Sequence, residues 1–333
     1  MISSSISGTR STPVSLIETK HPLPGFGSMA STLSDPTESL KLRYSEGKLH
    51  HAALIVGNTI LSTEDAALNL TRTILSIPED SDDHPDLFHL RPSGKARIIT
   101  VEKTRALISN LYRTSNQGGS KVAIIHEADR MRKEAANAFL KTLEEPPPGT
   151  YLLLLTTRPY SLLATIRSRC LQARLTAESG AESSEVWENW VRIYRSWIHT
   201  LLDREKLKQD RISPLFTAYG LTSSLLSMIK QKADTEYKEA KDKLIGLDDK
   251  ERDAYEAGLR KGARANLLRQ LSDVTCSIAL DCMKQGNQVK IGNKLSKVIR
   301  SLEKNVGLLE VNLKDEAAFE DFYLSSLRIW SSQ

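Results

Sequence analysis

Three short apolar runs constrain this chain more than any other feature: Ala52–Val56, residues 122–125 and residues 151–155. A run this short with no polar alternation reads as a strand buried on both faces, as in a parallel sheet covered by helices. Helical periodicity fills the gaps. Ser62 can cap a helix with Glu64 and Asp65 in its first turn and Ala66, Ala67, Leu70, Ile74 and Leu75 as its apolar stripe. A polar loop is expected over residues 78–95. Ile98, Ile99 and Val101 read as a strand edge leading into a helix through Leu107, Ile108 and Leu111. Gln117, Gly118 and Gly119 form a turn, residues 134–145 form a helix stopped by Pro146, Pro147 and Pro148, and residues 162–169 form a shorter helix. Beyond Ala173 no strand of equal quality follows; residues 185–207, 214–241 and onward carry helical periodicity. The expected architecture is an α/β parallel-sheet unit over residues 41–175, then an all-α region divided near residue 249.

Residues 1–40, rich in Ser, Thr, Pro and Gly, are expected to be disordered, with Met29 as a second candidate start. No apolar h-region follows Arg10 and no apolar run reaches membrane-spanning length, so a cytoplasmic setting without membrane contact is expected. Cys170, Cys276 and Cys282 make no disulfide framework and lack zinc-pair spacing; they read as packed residues. The net charge of +5 is mild, but between Gly258 and Lys304 ten Lys/Arg face three Asp/Glu, while acidic residues gather at Glu79, Asp80, Asp82, Asp83 and Asp86.

The first strand–turn–helix stands where a nucleotide-binding fold places G-x-x-x-x-G-K-[ST], whose glycines close backbone N–H groups around phosphates, whose lysine reaches the β/γ-phosphates and whose hydroxyl holds Mg²⁺. Counted from Gly57, the last three positions here are Ser62, Thr63 and Glu64. No lysine occurs between Lys48 and Lys95 to substitute. Carboxylates at Glu64 and Asp65 are expected to repel phosphate from the helix N-terminus. The second buried strand would end in an acidic pair in an ATPase; here His126 takes the first place and Glu127 the second. A metal site from Glu127 and Asp129 is not expected. These losses argue against intrinsic ATP hydrolysis.

The stretch from Lys121 to Met131, the run Ala136-Asn137-Ala138-Phe139-Leu140-Lys141-Thr142-Leu143-Glu144-Glu145-Pro146-Pro147, Thr156-Thr157, and Ser168-Arg169-Cys170 together resemble the bacterial clamp-loader family, the gamma/tau and delta-prime subunits of DNA polymerase III. His84-Pro85-Asp86 and the stretch from Val101 to Arg105 fit the same pattern. The resemblance implies an AAA+-like domain over residues 41–175, a lid-like or divergent region over 176–249 and a collar-like oligomerisation region over 250–333. It implies gamma/tau and delta partners, a sliding clamp, and primer-template DNA reached through the complex. Because gamma/tau carries an intact P-loop, the degenerate motif here points to the delta-prime branch. The family's four-cysteine zinc module is missing, so neither zinc nor another cofactor is expected, and ATP would be bound by partner subunits. By position, Arg169 would act in trans on a neighbour's ATP, with Ser168 and Cys170 shaping its helix. Asn137 and Lys141, four apart, share a helix face that reads equally as an interface strip or as solvated surface. An active gamma/tau-type ATPase and a DNA-binding adaptor outside a clamp loader are the alternative readings.

Overall fold

The computed structural model describes residues 35–78, 84–115, 119–175, 184–285, 288–311 and 313–332. Residues 1–34, the acidic residues 79–83 and most of the turn at 117–119 lie outside this set. Within the expected disorder, residues 36–40 prove helical. Helix α1 (Pro36–Ser45) opens at Asp35, whose carboxylate accepts a hydrogen bond from the Thr37 N–H, and it buries Thr37 and Leu40.

Strands β1 (Ala52–Val56), β2 (Leu87–Leu90), β3 (Lys121–Ile125), β4 (Thr150–Thr156) and β5 (Leu171–Arg174) form one parallel sheet in the order β2-β3-β4-β1-β5. The three apolar runs are its central strands. Their alternate residues serve two different cores. Leu54, Ala123, Ile125, Leu152 and Leu154 pack on one face with Leu107, Phe139 and Leu143; Ala53, Ile55, Val122, Ile124, Leu153 and Leu155 pack on the other with Ala67, Leu70 and Ile74. The first group of helices is α3 (Val101–Leu111) and α4 (Lys133–Glu144); the second face is covered by α1 and α2 (Ile60–Leu75). Double-sided burial is why these strands show no period of two.

The edge strands depart from the expectation. β2 lies inside the predicted polar loop, and β5 lies where no comparable strand was expected. Each is four residues long and only partly buried, so neither needs an apolar run. Ile98 and Ile99 make only isolated bridges, to Ser93 and Met131, and Val101 already begins α3 behind the cap Thr100. The short helix α5 spans only Ala164–Arg167.

Helices α6 (Glu185–Leu202), α7 (Arg204–Gln209), α8 (Ser213–Glu239), α9 (Asp249–Gln285), α10 (Gln288–Glu310) and α11 (Asp315–Ser331) follow. Trp190, Tyr194 and Trp197 of α6 enter one core with Leu225 of α8, Leu271 and Ile278 of α9, Leu302 of α10 and Tyr323 of α11. Helices from both sides of residue 249 therefore share packing. The basic segment is not one exposed face. Lys294 is buried and donates to the Trp330 and Ser332 carbonyls (2.8 and 2.7 Å), closing the C-terminal end of α11, while Arg264 pairs with Asp315 and Lys304 with Asp321. A smaller apolar cluster, with Ile60 of α2 and Tyr255 and Leu259 of α9, joins the helical region to the sheet. No helix among the described residues is long and apolar enough to cross a membrane.

Candidate functional site

The loop after β1 is shorter than a phosphate loop. Helix α2 begins at Ile60, with Thr59 as its cap; Ser62 is not the cap but the third helical residue. Thr59 Oγ1 accepts from the Ser62 N–H at 3.1 Å and Ser62 Oγ accepts from the Thr59 N–H at 3.4 Å, a reciprocal arrangement that satisfies the helix end from within. A Cβ on Gly57 would stand 2.6 Å from Thr63 Cγ2 and 2.9 Å from Ser62 Oγ. The space against Gly57 is filled by the two side chains that replace the second glycine and the lysine.

Moving the helix start to Ile60 also corrects the role expected of Glu64. It is not in the first turn; that turn holds no acid. Glu64 is turned inward, 2% exposed, and accepts hydrogen bonds from Arg91 Nη1 (2.7 Å) and Tyr255 Oη (2.7 Å), with His126 Nδ1 at 2.6 Å. Burial alone would raise its pKa; the Arg91 charge, then His126 and Tyr255, outweigh burial and hold the carboxyl well below its usual range. Glu64 and His126 occupy the two positions whose side chains would hold Mg²⁺ in an intact site, and here they bind each other. The ring of His126 continues to His89, with Nε2 and Nδ1 3.0 Å apart. His89 sits on the edge strand with its outer side in solvent; burial of its inner side and the His126 and Arg91 charges lower its pKa.

Glu127, the second acidic position, is ion-paired with Arg97. Both residues have left-handed backbones, φ 44 and 52. Arg97 reaches Glu127 past α9 because residue 258 is glycine: a Cβ there would lie 2.6 Å from Arg97 Nη2. Burial raises the Glu127 pKa above the ordinary value even against the Arg97 charge. A carboxylate engaged in this way is not available to polarise water.

A cleft of about 1380 Å³ opens beside α2, toward α6, α8 and α9. Its described lining includes Asp35, Asp65, Glu236, Glu239 and Asp273 against the single cation Lys232. Such a surface disfavours a polyphosphate. The residues present therefore do not fit a magnesium nucleotide at this position. No cluster of three or more metal-ligand side chains occurs among the described residues.

Arg169 is far more exposed than Glu64, at 35% of its side-chain surface. It follows α5, its Nη1 donates to the Thr165 carbonyl (2.8 Å), and its Nε and Nη2 reach Glu144 Oε1 at 2.7 and 2.5 Å. Two motifs that are 25 residues apart meet in this pair. Ser168 Oγ donates to the Thr165 carbonyl and Cys170 Sγ to the Ile166 carbonyl; burial pushes the Cys170 thiol up to about 12. Both flanking side chains are thus engaged with carbonyls of the α5 turn. Asn137 and Lys141 are exposed on α4. Sequence reasoning missed His89, Arg91, Arg97, Tyr255 and Gly258. Tyr255 lies 191 residues from Glu64, and no local signal joins them.

Residues 33–179 match the family model described as DNA polymerase III, delta subunit. The delta′ subunit of DNA polymerase III from Yersinia pestis is 38% identical over 154 residues, covering 41% of this chain and 45% of that protein. The delta′ subunit of Escherichia coli K12 is 34% identical over 148 residues, 40% of this chain and 44% of that protein. The tau subunit of the same organism is also 34% identical over 148 residues, 40% of this chain and 23% of that protein. The matches thus span less than half the length of these relatives. A solved Thermotoga maritima protein described as related to the DNA polymerase III gamma subunit aligns over 89% of this chain and all of that one, at 22% identity and a TM-score of 0.40, too distant to bear on function. The motifs from Lys121 to Cys170 and these matches point the same way: over residues 33–179, less than half of its length, this chain is similar to the delta-prime subunits of DNA polymerase III.

Proposed function

We propose that this chain is a delta-prime-like subunit of a DNA polymerase III clamp loader, one that hydrolyses no ATP itself and supplies Arg169 to ATP held by a neighbouring gamma/tau-type subunit. The Glu64–His126 contact carries the reading. Two residues at magnesium-ligand positions satisfy each other, so the cation that would organise a triphosphate has no ligands to meet. The short capped loop and the acidic cleft act in the same direction.

Arg169 suits a role in trans. Its pair with Glu144 is at the surface, and an exposed pair contributes only about 0–1 kcal/mol, so exchanging the carboxylate for a phosphate costs little. An arginine finger stabilises charge developing on the γ-phosphate and is worth about 10³–10⁵ in rate in GTPases. Gamma/tau and delta subunits are the proposed partners; the clamp and primer-template DNA are reached through the complex, and Asn137 and Lys141 offer an interface strip. The test is reconstitution with a gamma/tau-type subunit. Arg169→Ala is expected to leave assembly intact and to lower DNA- and clamp-stimulated ATP turnover, while the isolated chain hydrolyses no ATP. Unchanged turnover in the mutant assembly defeats the finger role, and hydrolysis by the isolated chain favours the gamma/tau-type alternative.

A further inference from the structure

We propose that Arg130, Arg158 and Lys261, converging at the carboxyl edge of β3 and β4, bind a phosphate group. Arg130 follows β3 in a short 3-10 turn, Arg158 follows β4, and Lys261 comes from α9. The outer crevice at the carboxyl ends of parallel strands is where open α/β sheets take ligands.

The charges here are out of balance. Asp129 pairs with Arg158 (3.2 Å), Glu310 also pairs with Arg158 (3.3 Å), and Glu127 is taken by Arg97. Arg130 is left with carboxylates only at 3.8 and 3.9 Å, beyond hydrogen-bond reach, and its buried Nε has no protein partner. Buried Arg97, beside it, has two further N–H positions, Nε and Nη1, without a protein acceptor. Lys261 makes no ion pair among the described residues; burial lowers its pKa, and the charges of Arg130 and Arg97 act the same way against that of Glu310. Four cations, Arg97, Arg130, Arg158 and Lys261, thus share three carboxylates, Glu127, Asp129 and Glu310, and a partly buried surplus of positive charge opposes folding unless an anion offsets it. The backbone strain at Arg97 and Glu127 falls in the same place, as strain does where a site is held in a set geometry. Guanidinium forks beside an ammonium match a phosphate, which takes bidentate hydrogen bonds and carries more than one charge. Arg158 and Lys261 keep part of their surface in solvent, so a phosphate can reach them. It could come from free inorganic phosphate or from a nucleic-acid backbone. Arg169 takes no part in this site, so its test and the one below fail independently.

The full chain is tested with two probes, inorganic phosphate in thermal unfolding at fixed ionic strength and a fluorescent single-stranded oligodeoxynucleotide in anisotropy. Lys261→Gln is the variant, since an unpaired, half-exposed lysine can be neutralised without orphaning a partner. Lys284→Gln, elsewhere on α9 and paired with Asp281, is the control. A free-phosphate site raises the melting temperature of the wild type with phosphate, and Lys261→Gln weakens this binding about tenfold, the scale of one charge-assisted hydrogen bond. A backbone site instead binds the oligonucleotide in a salt-dependent way and shows the same tenfold loss, with a shallower salt slope. The proposal is overturned if neither probe binds in a manner that Lys261→Gln weakens, or if Lys284→Gln weakens binding equally.

Discussion

Glu64 and Glu144 each hold an arginine, and the two pairs differ in almost every other respect. Glu64 is 2% exposed and answers to Arg91 and His126, which directly follow β2 and β3, and to Tyr255 of α9. Glu144 is half exposed and answers to Arg169, which a short helix brings to the end of α4. In the interior, charges are kept only if every lone pair is met, and removing one member orphans the rest. At the surface, water replaces a lost partner at little cost. The first arrangement is thus fixed architecture, and the second can exchange its partner for water at little cost.

The sharpest way to break this contrast is Glu64→Ala. It leaves Arg91, His126 and Tyr255 facing an empty buried position and is expected to cost about 3–5 kcal/mol in urea unfolding. A loss below 1 kcal/mol would mean that water reaches the cluster and that the two pairs are alike. Gly258→Ala comes next. The added methyl meets Arg97 Nη2 and Ile60 Cδ1, at 2.6 and 3.0 Å, and a cost of about 1–3 kcal/mol is expected despite the gain in helix propensity. An unchanged or raised stability would show that Arg97 moves aside freely.

Acidification probes the cluster around Glu64. The folded pKa values of Glu64 and His89 are both lowered, so each contributes stability that is complete above its unfolded pKa and lost as pH falls below it. Stability should therefore decline from about pH 6.5, where unfolded histidine takes up a proton, and more steeply below about 4.3, where unfolded glutamate does. Glu64→Gln should flatten the second part of the decline in urea titrations between pH 7 and pH 3; an unaltered slope there would assign the loss to other groups. The smallest effect belongs to the surface: Arg169→Ala is expected to change stability by less than about 1 kcal/mol. A larger loss by thermal unfolding would make Arg169 a structural residue and remove the contrast.

Legibility followed burial. β1, β3 and β4 are covered on both faces and announce themselves as apolar runs; β2 and β5, at the sheet edges, need no such run and were not expected. Arg169 was legible because its motif is contiguous, and its partner Glu144 lies in another contiguous motif. Glu64 was recognised as a replaced ligand position, but its direction was misread, because a shift of the helix start from Ser62 to Thr59 turns residue 64 from the rim toward the interior.

What the sequence determined by itself is the layered α/β order, the helical remainder and the absence of a G-x-x-x-x-G-K-[ST] motif after β1. Each depends on side chains within one turn or strand of one another. Only the tertiary structure decided what surrounds Glu64 and Arg97. The docking of α9 brings Tyr255 to Glu64 across 191 residues of chain, and Gly258 to Arg97. A carboxylate's protonation and its role depend on the charges and solvent that surround it, and those are set by packing across the whole fold.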